Sequence, residues 1–342
     1  MLKKTIKWLL IVLILLAAAW AALLFIPKSN PAAYRMKVEQ GQGISAVSRK
    51  LDDDKIIYSR HVLLATAYLM GAHNQLHSGT YRLPANVSTW QILQRLRGGH
   101  PDTITVRIIE GMRFAQMRNI IDNTADIRHD TRGWSNEKLL QAIDPDAPSS
   151  NPEGLFFPDS YEIDADSSDL QLYRLAYRTM QQRLHAAWDE RQSGLPYQNP
   201  YELLIMASLV EKETGHEADR RHVAAVFVNR LNIGMRLQTD PTVIYGMGDR
   251  YDGNIRKSDL EEKTAYNTYQ IDGLPPTPIA LPSTASIKAA LNPNQTDSLY
   301  FVATGNGGHK FTSNLEDHNQ AVQDYLRVMR EKRASQNSQS GQ

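Results

Sequence analysis

A carboxyl side chain on an otherwise apolar helix is the first feature of this sequence that could do chemistry. Residues 199–215, NPYELLIMASLVEKETG, start with a proline near the head and end in glycine, which predicts a single helix. Leu203, Met206 and Val210 recur at helical spacing on one stripe, and Glu213 occupies the next position of that stripe. The sequence therefore predicts that the carboxyl group of Glu213 projects from the buried face of the helix.

The predicted surroundings of Glu213 favour its protonated form. Burial removes water from the carboxyl group, and the last helical turn carries partial negative charge, so both effects raise its pKa. A carboxyl group that is protonated near neutral pH can serve as a general acid. The alternative is a structural role at the helix end, in which Glu213 faces solvent or pairs with an arginine. The candidate arginines are Arg220, Arg221 and Arg230.

Polar and aromatic residues downstream of the helix are typical of a sugar-binding cleft. Rings stack on the C–H faces of sugars, while amides and hydroxyls bond the ring substituents. Gln238 and Thr239 lie in one such segment, and residues 264–269, TAYNTY, form another. Asp240 precedes a proline, which predicts a structural role as helix N-cap. Rigid packing of turns is the competing explanation for these segments.

Metal and nucleotide sites are not indicated. The chain has no cysteine, which excludes thiol nucleophiles, disulfides and thiolate metal sites. His216 and His222 stand six residues apart, whereas a zinc-protease helix needs a spacing of four. Asp164, Asp166 and Asp169 lack the glycine and glutamate of an EF-hand loop. Nucleophile elbows, phosphate loops and dinucleotide fingerprints are absent from the sequence, so we predict no metal and no cofactor.

Length and charge set the broad class. At roughly 150 residues per domain, 342 residues suggest two or three domains. Basic and acidic residues number 38 and 37, for a net charge of +1, so no basic excess indicates a nucleic-acid partner.

The N-terminal region predicts a membrane anchor. Residues 8–26 are nineteen consecutive apolar residues, which at 1.5 Å per residue nearly cross a hydrocarbon core of about 30 Å. A cleaved signal peptide is the alternative, although its apolar region would run only about 7–15 residues. Lys3, Lys4 and Lys7 precede this stretch and only Lys28 follows closely. The positive-inside rule therefore predicts a cytoplasmic N-terminus, with the rest of the chain exported.

The fold class predicted for the exported part is α+β. Residues 36–100 alternate short strand-like and helix-like segments and resemble a LysM glycan-binding module, with a spacer domain as the alternative. A larger mixed α/β domain follows, with helices predicted near residues 115–122, 136–143 and 170–188 and a hairpin over 298–311. The complete predicted organisation is a cytoplasmic tail at 1–7, a transmembrane helix at 8–26, a linker at 27–35, the LysM-like module at 36–100, a catalytic domain at 101–330 and a disordered tail at 331–342.

Several segments in one order carry a resemblance to a known family. They are EGLFFPDSYEID from residue 153, ASLVEKETG from 207, NRLNIGMRLQTDPTVIYGMG from 229, TAYNTY from 264, GLPPTPIALP from 273 and NGGHKF from 306. With the anchor and the LysM-like module, the chain resembles MltG, the YceG-like family of endolytic murein transglycosylases. The resemblance implies cleavage of the MurNAc–GlcNAc β-1,4 bond within a peptidoglycan strand, leaving a 1,6-anhydroMurNAc end.

The resemblance also implies roles for residues. The catalytic acid of the family is the second glutamate of its Glu-Lys-Glu-Thr motif, which is Glu213 in this sequence. The sugar's own C6 hydroxyl attacks C1 in this reaction, so one carboxyl group suffices. The residues expected to bind substrate, by motif position, are Gln238, Thr239, Asp240, Tyr245, Tyr266, Asn267 and His309.

Partners and location follow from the same resemblance. The expected partners are peptidoglycan glycan strands, the inner membrane and peptidoglycan synthases. The expected location is a single pass through the inner membrane with a periplasmic catalytic domain, where the enzyme would end the elongation of nascent strands.

Two alternatives to the transglycosylase remain at this stage. A muramidase would use water and need a second carboxylate, for which Asp240 and Glu217 are the candidates. An anchored glycan-binding scaffold for cell-wall synthases would leave Glu213 with a structural role only.

Overall fold

The computed structural model describes residues 2–99 and 101–339. It confirms a mixed α/β fold with an N-terminal apolar helix. The chain forms two compact units. The first consists of Met1–Thr105, Ala125–Arg128 and Glu162–Ser167, and the second of Val106–Thr124, His129–Tyr161 and Ser168–Gln342.

Helix α1, Leu2–Phe25, is the apolar N-terminal helix. Its portion Lys4–Phe25 has a mean hydropathy of 2.8 and is long and apolar enough to cross a membrane. Most of its side chains are exposed, but its last turn contacts other residues of the first unit. There Thr89 Oγ1 donates to the carbonyl of Leu23 at 3.2 Å, and the Phe25 ring lies 5.4 Å from that of Trp90.

The first unit is a small α+β module. Between α1 and residue 100 its elements are β1 (Lys28–Ser29), β2 (Tyr34–Val38), α2 (Ile44–Asp53), α3 (Arg60–Leu69), β3 (Gly79–Leu83), β4 (Asn86–Val87) and α4 (Thr89–Gly98). Strand β2 pairs antiparallel with β3, and β1 with β4. The apolar side chains of these elements form one core cluster that includes Leu51, Leu63 and Leu83. Helix α3 is not among the elements that the sequence predicts.

Local signals define both ends of α4. Ser88 accepts a hydrogen bond from the backbone of Gln91, whose side chain accepts one from the Ser88 backbone in return, so the two residues form a capping box. Gly99 ends the helix in the left-handed region at φ 64°, which favours glycine.

From Thr103 onward the chain is mostly helical. The elements are β5 (Thr103–Arg107), α5 (Phe114–Asp122), α6 (Asn136–Ile143), β6 (Ser160–Asp164), α7 (Asp169–Asp189), α8 (Pro200–Glu213), α9 (Glu217–Asn232), α10 (Asp240–Met247), α11 (Lys257–Glu261), α12 (Thr284–Leu291), β7 (Tyr300–Ala303), β8 (His309–Thr312) and α13 (Leu315–Gln339). The predicted hairpin is confirmed, because β7 pairs antiparallel with β8.

Helix α8 is the central element of the second unit. It packs against α7, α9, α10 and α12. Every residue from Leu203 to Val210 is buried, as the apolar circumference of its sequence predicts. A helix enclosed on all sides has little freedom to move, so its last residue, Glu213, is held in a defined position.

The C-terminal helix is longer than the sequence predicts. A disordered tail is predicted at 331–342, but α13 continues to Gln339 and so includes most of that segment. Arginine, glutamate, lysine and alanine have high helix propensity and favour this extension. Residues 340–342 of the predicted tail lie outside the described residues.

Candidate active site

Glu213 is the last residue of α8 and lines a cavity of about 370 Å³. The helix starts at the predicted proline, with Asn199 accepting a cap hydrogen bond from the backbone of Glu202. We call this space the Glu213 cavity. Its lining residues are Glu213, Arg230, Leu237, Gln238, Asp240, Tyr269, Tyr300, Phe301, Leu315 and His318.

The pKa of the Glu213 carboxyl group is raised to about 7. Loss of water around the buried group is the largest cause, as the apolar stripe predicts, and the negative charge of Asp240 adds to it. A hydrogen bond from Thr239 and the positive charge of Arg230 act in the opposite direction. The balance leaves a carboxyl group that can both give and take a proton near neutral pH.

Thr239 fixes the orientation of the Glu213 carboxyl group. Its hydroxyl donates to Glu213 Oε1. Thr239 also stands at the N-cap position of α10, but its side chain makes no cap hydrogen bond there. The hydroxyl that could have capped the helix is instead committed to the glutamate.

A buried threonine holds Thr239 in place. The backbone N–H of Thr239 donates to Thr268 Oγ1 at 3.0 Å, and the N–H of Gln238 donates to the Thr268 carbonyl at 3.1 Å. Gln238 has φ 50°, in the left-handed region that non-glycine residues seldom adopt. Strained residues of this kind cluster at functional sites, and this one lines the Glu213 cavity.

Asp240 supplies a second carboxyl group to the same cavity. The prediction that Asp240 is the N-cap of α10 is wrong, because Thr239 takes that position and Asp240 is the first helical residue. Its Oδ1 accepts a hydrogen bond of 2.7 Å from the hydroxyl of Tyr269. Asp240 is exposed, in contrast to the half-buried Glu213.

Arg230 places a fixed positive charge in the cavity wall. It is 8% exposed and donates to the carbonyls of Leu299 at 2.7 Å and Leu237 at 2.8 Å. Its guanidinium also reaches Gln238 Oε1 at 3.5 Å and lies 5.2 Å from the centre of the Tyr300 ring. Since its near contacts are neutral, its charge acts on Glu213 through space.

Three of the predicted substrate-binding residues lie away from the Glu213 cavity. The hydroxyl of Tyr266 bonds Thr277 Oγ1 at 2.9 Å. Tyr245, whose ring lies 4.7 Å from that of Tyr266, donates to Glu153 Oε2 at 3.2 Å. Asn267 is 1% exposed and donates its amide hydrogens to backbone carbonyls, including that of Glu262 at 2.7 Å. Packing of a rigid turn, the alternative noted above, accounts for the contacts of Asn267.

His309 does not line the Glu213 cavity but packs against a ring that does. Its Nδ1 and Asp219 Oδ2 are 2.9 Å apart, and its ring meets that of Phe301 edge-on at 5.6 Å. Phe301 lines the cavity, so His309 is placed to support the wall.

Tyr269, Tyr300, Phe301 and His318 line the cavity but are not among the predicted site residues. Tyr269 is the last residue of the TAYNTY segment, which the sequence predicts to bind sugar. The composition of that segment was therefore a signal for Tyr269, although the residue was not selected. Tyr300 and Phe301 lie on β7 and His318 on α13, and no short motif distinguishes them.

The two other glutamates near Glu213 in sequence have different surroundings. Glu211 Oε2 accepts from the backbone N–H of Ser283 at 2.9 Å and from its hydroxyl at 2.5 Å. Glu217 lines a separate cavity together with Arg220 and Arg221. Of the two candidates for a second carboxylate, the structure therefore brings Asp240, and not Glu217, to the Glu213 cavity.

Comparison with known proteins extends over most of the chain. The model of the YceG-like family matches residues 36–324. A Bacillus subtilis (strain 168) protein named endolytic murein transglycosylase is 30% identical over 330 residues, covering 90% of this chain and 89% of its own length. A Streptococcus pneumoniae (strain D39) protein of the same name is 27% identical over 322 residues, covering 84% of this chain and 58% of its own length.

A solved structure gives the same result. The crystal structure of a YceG-like protein from Listeria monocytogenes is similar to this chain, with a TM-score of 0.52 and 27% sequence identity. The match covers 84% of this chain and 98% of the Listeria chain. Family model, full-length relative and solved structure agree, and this chain belongs to the YceG-like family.

Proposed function

We propose that this protein is an endolytic murein transglycosylase with Glu213 as its catalytic acid and base. The relative from Bacillus subtilis, which carries that name, matches nearly end to end. The observation that carries the assignment of the residue is a carboxyl group with a pKa raised to about 7 on the wall of the Glu213 cavity.

The chemical step needs one carboxyl group. Protonated Glu213 gives its proton to the oxygen of the MurNAc–GlcNAc bond as the bond from C1 to that oxygen breaks. The C6 hydroxyl of MurNAc then attacks C1, and the carboxylate takes the hydroxyl proton. The products are a GlcNAc end and a 1,6-anhydroMurNAc end, and Glu213 is again protonated.

Other residues of the cavity support this step. The Thr239 hydroxyl, which donates to Oε1, holds the carboxyl group in one orientation. The carboxylate of Asp240 supplies negative charge against an oxocarbenium-like transition state, because charge fixed in place before the reaction needs no rearrangement. The rings of Tyr269, Tyr300 and Phe301 offer faces on which a sugar can stack.

Hydrolysis is a second candidate, favoured by Asp240. A muramidase pairs its acid with a second carboxylate that activates water or attacks the sugar. Asp240 lines the same cavity as Glu213, and its exposure leaves it accessible to water. The products separate the two reactions, since hydrolysis leaves reducing ends and transglycosylation leaves anhydro ends.

Mass spectrometry of digested peptidoglycan tests the proposal. We expect the full-length protein, purified in detergent, to release internal fragments that end in 1,6-anhydroMurNAc. Glu213→Gln keeps the shape of the side chain but removes the acid. Digestion with this variant should therefore release no fragments that end in 1,6-anhydroMurNAc. Glu211→Gln is the matched control, because it changes a glutamate of the same helix end that contacts Ser283, and it should keep activity.

Each other outcome contradicts part of the proposal. Reducing ends would assign hydrolysis and direct attention to Asp240. An active Glu213→Gln protein would exclude Glu213 as the acid. If wild type and variant both fail to cut but bind glycan equally, the protein is a scaffold.

We also propose the finer organisation that the sequence suggests. Residues 36–100 would form a LysM-like module, supported by the antiparallel strands β2 and β3 with α2 and α3 between them in sequence. Residues 101–330 would form the catalytic domain. The N-terminus would be cytoplasmic and the catalytic domain periplasmic, where the enzyme ends nascent strands beside peptidoglycan synthases.

A further inference from the structure

Three side chains of the second unit form a cluster suited to a metal ion. Asp122 is the last residue of α5, Asp169 is the first residue of α7, and His129 lies between these helices in sequence. Each offers one ligand atom, and these atoms lie within 4.8 Å of one another. The cluster is separate from the residues that line the Glu213 cavity.

Buried polar atoms of this cluster are left without partners. Asp122 Oδ1 and His129 Nδ1 are each buried, and neither has a hydrogen-bond partner among the residues that the structure describes. More than nine in ten buried polar groups in native proteins are paired, so two orphaned atoms in one small cluster require an explanation. A bound cation between them would supply it.

Tyr173 provides an independent sign of a missing partner. Its side chain is fully buried, and within residues 2–99 and 101–339 its hydroxyl has no hydrogen-bond partner. It lies one helical turn after Asp169, on the same face of α7.

Asp169 is held in a fixed orientation, as metal ligands usually are. Its Oδ2 accepts from Thr131 Oγ1 at 2.8 Å, and the backbone N–H of Thr131 lies 3.2 Å from both carboxylate oxygens. A carboxylate has about four acceptor positions, so these bonds leave capacity for a metal ion.

The donor set selects the class of ion. One imidazole and two carboxylates are ligands of Zn²⁺ and related divalent transition metals, whereas Mg²⁺ prefers oxygen ligands and retains its waters. Ligands about 2.1 Å from a tetrahedral Zn²⁺ lie about 3.4 Å apart, so small side-chain movements would close the cluster. Asp122 also lines a cavity of about 450 Å³, which provides access for the ion.

We propose that Asp122, His129 and Asp169 bind a divalent transition metal ion, Zn²⁺ in the first instance, which links the end of α5 to the start of α7. The fourth position is available to water. The role is structural, because the ion joins two helices that are far apart in sequence. Unfolding of the protein would release the ion, so the free energy of metal binding adds to the free energy of unfolding.

Metal binding and thermal unfolding of the full-length protein in detergent test the proposal. After EDTA treatment and ZnCl₂ addition, we expect one Zn²⁺ per chain by elemental analysis and a rise in Tm, with no rise for MgCl₂. Asp122→Asn and His129→Gln should each weaken Zn²⁺ binding about 10-fold or more. His185→Gln, which removes an exposed histidine of α7, should bind Zn²⁺ like wild type.

A second measurement on wild type avoids dependence on variants that fail to fold. Zn²⁺ should protect His129 from diethyl pyrocarbonate, with the modified histidines identified by mass spectrometry. The proposal is overturned if wild type retains no Zn²⁺ and its Tm is unchanged. It is also overturned if both variants bind as wild type does, or if Zn²⁺ leaves His129 reactive, in which case a buried water bridges the orphaned atoms.

Discussion

Glu213 keeps a proton at pH values where an exposed glutamate has lost it, and this raised pKa has a cost in stability. Its pKa is raised from 4.5 to about 7, with burial as the first cause. Below pH 4.5 the group is protonated in both the folded and the unfolded chain. Between these values the unfolded chain binds fewer protons, so the free energy of unfolding falls as pH rises. Above pH 7 the whole cost remains.

Replacing Glu213 by glutamine should therefore stabilise the protein at neutral and alkaline pH. The pKa shift from 4.5 to about 7 is about 2.5 units, and one unit corresponds to about 1.4 kcal/mol, so we expect a gain of about 3.5 kcal/mol at pH 8, or several degrees in Tm. The gain should vanish at pH 4. Thermal unfolding of both proteins across this range measures it, and a difference that stays constant with pH would contradict the raised pKa.

The two neighbours of Glu213 should move the pH dependence of activity in opposite directions. Asp240→Asn removes a negative charge that raises the pKa of Glu213, so the loss of activity on the alkaline side should occur at lower pH. Thr239→Val removes a donor that stabilises the ionised form, so the loss should occur at higher pH. Each shift should be about half a unit to one unit.

Profiles of kcat/KM against pH measure these shifts, and Glu211→Gln is the control that should leave the midpoint unchanged. Shifts in the same direction for both variants would show that they act through something other than the charge on Glu213.

At the scale of elements, Glu211, two residues before Glu213, connects two helices. Glu211 on α8 accepts two hydrogen bonds from Ser283, and the Ser283 hydroxyl accepts one from the backbone N–H of Ser286 at the start of α12. One serine thus caps α12 and attaches it to α8.

Ser283→Ala should consequently cost more stability than loss of an ordinary cap. Removing a cap costs about 1 kcal/mol, and losing a hydrogen bond to a charged group adds about 1.5–3 kcal/mol. Ser135→Ala, which removes only the cap of α6, is the matched control. Urea unfolding of both variants measures the difference, and equal losses would show that the contact with Glu211 contributes nothing.

At the scale of the whole molecule, the proposed topology can be tested because the chain has no cysteine. A single cysteine at exposed Ser193, in the second unit, should react with a membrane-impermeant maleimide in spheroplasts. A cysteine at Thr5, near the start of α1, should react only after lysis. The reverse labelling would place the second unit in the cytoplasm and contradict the proposed periplasmic activity.

Local patterns predicted several elements and the position of Glu213. Helix α6 has the predicted bounds, Asn136–Ile143, and α8 starts at Pro200 as its proline indicates. These two predictions of helix bounds succeed because caps and helical periodicity act over only a few residues. The same periodicity placed Glu213 on the buried stripe, and its raised pKa follows from that stripe.

The cavity around Glu213 depends on contacts between distant parts of the chain. Arg230 comes from α9, Tyr300 from β7 and His318 from α13, and each lines the cavity through tertiary packing alone. Conversely, the composition that predicted Tyr266 and Asn267 as substrate-binding residues did not show that their side chains contact Thr277 and the Glu262 carbonyl, because composition does not encode the direction of a side chain. The sequence by itself determined the position of Glu213 and its helix, while only the tertiary structure decided which groups surround it, since long-range packing sets those distances.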